Sequence, residues 1–133
     1  MQGYNGNLVL TENEIRIERG FKSLLVRKRW PAEWRLPCAS VREVWFQPST
    51  GRWGWPGYIL LVDDAGAPDE DFVARVRDER AVTFLTRTDD WRSFAETIAD
   101  RCGAPLREFP PERRGALEVA RLERAHGDRE MRR

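Results

Sequence analysis

Apolar and polar residues alternate through the first two thirds of the chain. Leu8 and Leu10, Ile15 and Ile17, and the run from Leu24 to Val26 are short and separated by polar or glycine-containing breaks, and a period of two is the signature of β-strands with one face buried. Asn5-Gly6 and Gly20 read as turns, because glycine takes positive φ without steric cost and asparagine tolerates it. Further runs follow from Ser40 to Phe46, ending at Pro48, and from Tyr58 to Val62, where Tyr58, Leu60 and Val62 share one face and Ile59 and Leu61 the other. Phe72, Ala74 and Val76 alternate again, as do Val82 and Phe84, so the pattern predicts about seven short strands before residue 86.

After Asp90 the period changes. Trp91, Phe94, Ile98 and Cys102 are spaced by three and four, which places them on one face of an α-helix. Asp89 or Asp90 is expected to cap its start, Gly103 to close it, and Pro105 to prevent its continuation. Beyond it, Pro105, Pro110 and Pro111 mark a linker, and residues 112 to 124 carry a weaker helical stripe of Leu117, Val119, Ala120 and Leu122. The domain boundary is therefore drawn at residue 104, with residues 105–133 as a proline-rich linker and a charged, helical tail.

Short antiparallel strands followed by one amphipathic helix fit a fold in which two nearly orthogonal sheets make a half-open barrel and the helix plugs one end. The chain resembles an uncharacterised bacterial family of pleckstrin-homology-like (PH-like) domains common in high-GC Gram-positive bacteria. The resemblance rests on Gly3-Tyr4-Asn5-Gly6-Asn7-Leu8-Val9-Leu10, Ile15-Arg16-Ile17, Leu36-Pro37 with Val41 and Val44, Gly57-Tyr58-Ile59, and Arg77 to Phe84. It covers roughly residues 3 to 102 and implies a mainly β fold with α, a PH-like half-open barrel of about seven antiparallel strands. The family carries no activity that transfers to a residue here. Two departures stand out: the segment from Arg27 to Arg35 is rich in Trp and Arg, and the tail lacks the Gly-Ile-Thr turn of the helical module that often follows.

At 133 residues the chain holds one domain and a short extension. With 41% apolar and 34% charged residues it is a globular protein with a heavily solvated surface. The 23 basic and 22 acidic residues nearly cancel, so no whole-molecule field draws it to nucleic acid or an anionic membrane. The charges are nonetheless divided. Residues 16–35 hold seven cations and two acids, and residues 63–79 hold seven acids and two cations. No run of about 18 apolar residues and no secretory leader is evident, so the expectation is a cytoplasmic protein. Cys38 and Cys102 are far apart in sequence and read as buried free thiols.

The residues exclude the common catalytic plans. His126 is the sole histidine and lies in the charged tail, no phosphate-binding glycine loop or HExxH occurs, and neither cysteine has a base nearby in sequence. The expectation is no enzyme, no cofactor and no metal; the acidic stretch Asp63, Asp64, Asp69, Glu70 and Asp71 matches no EF-hand spacing. What remains is binding. Arg27, Lys28, Arg29, Trp30, Trp34 and Arg35 interleave cations with indoles, which suits phosphates with stacked bases, anionic headgroups or a protein partner. Trp53 and Trp55 stand in a Gly- and Pro-punctuated loop, where either the fold or a partner must cover them. Trp45, Tyr58 and Trp91 lie on regular elements and read as core. The leading expectation is a module for a protein or peptide partner. An anionic-ligand binder (lipid headgroup or single-stranded nucleic acid) through Arg27 to Arg35 and a self-assembling homo-oligomer are the alternatives.

Overall fold

The computed structural model of the protein describes residues 1–20, 31–68, 71–114, 121, 124 and 125. In chain order the elements are β1 (Asn7–Leu10), β2 (Glu14–Glu18), β3 (Glu33–Pro37), a 3-10 turn (Cys38–Ser40), β4 (Glu43–Gln47), β5 (Gly57–Val62), α1 (Phe72–Val76), β6 (Ala81–Phe84), α2 (Thr88–Cys102) and β7 (Leu106–Glu108). The fold is mixed, β with α. Strands β1-β2-β3 form an antiparallel sheet, strands β6-β5-β4-β7 form a second, and the two do not join into a closed barrel.

The alternation read from the sequence sets which residues meet. Leu8, Ile15, Ile17 and Leu36 of the three-stranded sheet face Val44, Phe46, Ile59, Leu61, Val82 and Phe84 of the four-stranded one, and α2 closes this core with Trp91, Ala95 and Ile98. Phe84 stacks on Trp91 at 5.1 Å and on Phe46 at 5.8 Å. The opposite face of the four-stranded sheet carries a second core of Trp45, Tyr58, Leu60, Val62 and Ala81, covered by Phe72 and Val73 of α1 and by Phe109. All six residues of β5 are consequently buried, which explains its unbroken apolar run: a strand covered on both faces has no polar side to show.

Phe72, Ala74 and Val76, read above as a strand, form helix α1 instead. Asp71 caps it by accepting from the Val73 backbone N–H at 3.3 Å, and Phe72, Val73, Ala74 and Arg75 are all buried. A short helix buried nearly all round shows no polar face, so its period is lost.

Six strands precede residue 86 among the described residues, and the Leu24 to Val26 run lies outside them. The seventh strand follows the helix and runs parallel to β4, pairing Val44 with Leu106 and Phe46 with Glu108. The sheets are thus not wholly antiparallel, and α2 is not the last element. Gly103, at φ 64°, closes α2 as expected; the Val44 N–H then donates to the Pro105 carbonyl at 2.9 Å and draws the returning chain along β4. Residues 106–108, read as linker, are therefore built into the sheet. Arg121, Arg124 and Ala125 of the tail are helical.

Helix α2 starts at Thr88 after Arg87, which holds φ 63°, and no side chain caps it. Asp89 and Asp90 sit in its first turn, where they complement the helix dipole without capping. Trp91 and Ile98 are buried as the spacing required, joined by Ala95 and Ala99, whereas Phe94 and Cys102 are half-buried.

The Asn5-Gly6 turn is not a positive-φ turn. Glycine is needed nearby for a different reason: a Cβ on Gly3 would lie 2.5 Å from Val82 Cγ1 and 2.6 Å from the Thr83 carbonyl oxygen. With no side chain there, the N-terminal segment lies against β6. The Tyr4 N–H donates to the Thr83 carbonyl at 2.7 Å, and the Thr83 N–H donates to Asn5 Oδ1 at 2.9 Å. This pairing covers an edge strand that would otherwise present open hydrogen-bonding groups.

Candidate functional site

The loop between β4 and β5 separates its two tryptophans. Thr50 Oγ1 accepts from the Trp55 N–H at 2.6 Å, Gly54 N–H donates to the Gly51 carbonyl at 3.0 Å, and Ser49 Oγ donates to the Leu85 carbonyl at 2.8 Å, tying the loop to the end of β6. So held, Trp55 turns inward: its Nε1 donates to the Arg114 carbonyl at 2.9 Å, and its ring meets Phe72 edge-on at 6.4 Å. Trp53 turns outward and is 95% exposed, with the Arg52 guanidinium 6.0 Å from its ring.

Beside Arg52 opens a groove of about 430 Å³ at the end of the four-stranded sheet. Phe84, Leu85 and Trp91 line it, and Tyr4, Arg52 and Arg87 stand at its margins. The pairing of Tyr4 with Thr83 fixes the backbone, yet the Tyr4 side chain is 75% exposed. Among the described residues Tyr4 and Trp53 are the two exposed large hydrophobic side chains. Positive charge gathers here: Arg87, whose Nε donates to Asp90 at 2.9 Å, lies near enough to the α-amino group of Met1 to lower its pKa, after burial as the larger cause. The groove thus brings Phe84, Leu85 and Trp91 together with Tyr4, Arg52 and Arg87, and Trp53 stands outside it, next to Arg52.

The other sequence candidates fall elsewhere. Arg27, Lys28, Arg29 and Trp30 lie outside the described residues. Trp34 points inward from β3 and packs on the main core, opposite Ile17. Arg35 faces solvent but belongs to a cross-strand lattice in which it contacts Glu33 at 3.1 Å and Glu14 at 3.4 Å, while Arg16 contacts the same two carboxylates at 3.5 and 3.8 Å. The Glu33 carboxylate, first by hydrogen bonding, holds the Arg35 guanidinium above its ordinary pKa. Of the described sequence candidates, Trp53 stands beside this groove, while Tyr4, Arg52 and Arg87, which line it, were not singled out from the sequence. The available signal was Tyr4 itself, a large ring set between turn-forming residues where no strand could bury it.

A second, smaller cavity of about 250 Å³ lies over the second core, lined by Gln47, Arg75, Phe109 and Glu112 among others. Arg75 is 8% exposed and donates to Tyr58 Oη at 2.9 Å and to Gln47 Oε1 at 3.3 Å. The Phe109 ring lies 4.2 Å from its guanidinium and 4.4 Å from that of Arg107. Burial pushes the Tyr58 phenol up to about 12 against the opposing pull of Arg75. The cluster joins β4, β5 and α1 to the segment after β7 across the second core.

In the acidic stretch, Asp63 and Asp78 are both held by Arg80 at 2.9 Å and Asp64 by Arg42, while Asp69, Glu70 and His126 lie outside the described residues. Among the described residues no three His, Cys, Asp or Glu side chains are grouped to hold a metal, and no helix is long and apolar enough to cross a membrane. Comparisons of the chain with protein-family models, with curated proteins and with solved structures found no match.

Proposed function

We propose that the chain is a non-enzymatic binding module with a PH-like plan, and that the groove lined by Tyr4 and Arg52, with Trp53 next to it, receives a peptide segment of a protein partner. Two facing sheets closed by one long helix support the PH-like reading. The carrying observation for the site is the exposure of Trp53, 95%, beside a groove into which Phe84, Leu85 and Trp91 also open. A tryptophan ring in water is an unused hydrophobic surface, and large aromatics of this kind dominate interface energetics. Arg52 in the lining favours a segment that combines an apolar side chain with an acidic one. The anionic-ligand reading ranks second because Arg35, its described cation, is already matched by Glu14 and Glu33. We assign the module to the cytoplasm; among the described residues no helix is long and apolar enough to cross a membrane.

The test is selection of ligands from a displayed random-peptide library, followed by titration of a synthesised winner. Trp53→Ala and Tyr4→Ala are each expected to weaken binding about tenfold or more, the loss typical of an interface anchor. Unchanged affinity in both variants overturns the assignment of the groove. Failure to select any peptide, with the chain dimeric at micromolar concentration, favours self-assembly instead.

A further inference from the structure

The two cysteines, 64 positions apart in sequence, meet in the fold: Cys102 donates its S–H to Cys38 Sγ across 2.7 Å. Each is held by backbone hydrogen bonds. The Cys38 N–H donates to the Asn13 carbonyl at 2.9 Å and its carbonyl accepts from Val41 at 3.1 Å, while Cys102 ends α2 just before the Gly103 cap. Both side chains pack against the main core yet stay partly exposed, and both are free thiols. A disulfide needs its sulfurs at about 2.05 Å, so a small side-chain rotation suffices to bond them.

We propose that Cys38 and Cys102 form a dithiol oxidation site that closes into an intramolecular disulfide on reaction with a hydroperoxide. Cys38, the acceptor of the hydrogen bond, attacks first. Its sulfur, having given its proton to water, displaces hydroxide from hydrogen peroxide; the O–O bond breaks, Cys38 becomes a sulfenic acid, and the hydroxide leaves as water. The Cys102 sulfur then attacks Cys38 Sγ, the S–O bond breaks, and the departing hydroxide takes the Cys102 proton as a second water. In total two thiols lose two electrons to one peroxide, giving one disulfide and two waters. Burial and the neighbouring Cys38 push the Cys102 thiol up to about 12, which disfavours Cys102 as the first attacker. The bond ties the turn after β3 to the end of α2, and so links the three-stranded sheet to the helix that plugs the core.

The test treats the reduced chain with a small molar excess of hydrogen peroxide. Intact mass is expected to fall by two hydrogens, both thiols to become resistant to alkylation, and a Cys38–Cys102 cross-linked peptide to appear on digestion. The thermal midpoint is expected to rise by about 5 °C or more, because the bond closes a long loop, and to return on reduction. Cys102→Ser is expected to stop at a sulfenic acid on Cys38 that a dimedone-type reagent traps. Two thiols still alkylatable after oxidation, or disulfide-linked dimers in place of the internal bond, overturn the proposal; both readings are taken on the unmodified chain and do not depend on a variant folding.

Discussion

At the scale of single residues, one loop shows how position overrides composition. Trp53 and Trp55 have the same side chain, the same flanking glycine and the same loop, yet one lies in water and the other against Phe72. The sequence made both candidates and had no means to separate them, because the choice depends on Arg114 and Phe72, which are distant in the chain. Trp53→Ala is accordingly expected to leave the unfolding free energy within about 0.5 kcal/mol of wild type, whereas Trp55→Ala should cost about 2 kcal/mol through lost packing and one lost hydrogen bond. Chemical denaturation of the two variants checks the contrast, and equal losses would refute it. Tyr58 gives a second check. Its phenol is pushed up to about 12 from 10 by burial, so the folded chain keeps that proton longer than the unfolded one. The sign follows: its contribution to stability is complete below pH 10 and is lost as pH rises through about 12. In a Tyr4→Phe background, tyrosinate absorbance should appear near that higher value; a midpoint near 10 would place Tyr58 outside the core.

At the scale of elements, the legible parts were those whose partners lie on one side. Strands β1, β2, β4 and β6 and helix α2 bury their own periodic face, and the sequence announced each. Helix α1 was misread because only five residues, nearly all buried, carry no period of their own. Strand β7 was missed because Leu106-Arg107-Glu108 has no alternation to read and lies among prolines; its strand character comes from β4, about 60 positions earlier. β7 also makes the segment after Gly103 structural. The Phe109 N–H donates to the Phe46 carbonyl at 2.8 Å, and the Phe109 ring meets Trp45 edge-on at 5.0 Å. A chain ending at Ala104 should therefore lose several kcal/mol, since it uncovers a buried tryptophan and unpairs one edge of β4. Thermal unfolding decides it: a truncated chain that melts with the full one would show that β7 and Phe109 contribute nothing.

At the scale of the molecule, several of the described charges that looked divided in sequence are matched locally. Arg16 and Arg35 share Glu14 and Glu33, Arg80 holds Asp63 and Asp78, and Arg42 meets Asp64. Arg19, counted with the cations, is 8% exposed and serves as an internal pin, donating to the carbonyls of Asn5, Glu79 and Ala81. Burial draws its pKa down to about 10 while Glu79 and Asp78 pull the other way. It fastens the three-stranded sheet to the N-terminal segment and to the start of β6, and that segment is the one that presents Tyr4. The fold thus holds the groove's walls from three separate parts of the chain: residues before β1, the β4–β5 loop, and the turn from β6 into α2. The most direct test is a map of backbone amide chemical shifts as a library-selected peptide is titrated into isotope-labelled protein. The perturbed amides are expected to cluster at Tyr4, Arg52 to Gly54 and Leu85 to Arg87; perturbations confined to the outer face of β3 around Glu33 and Arg35 would contradict a peptide site in this groove.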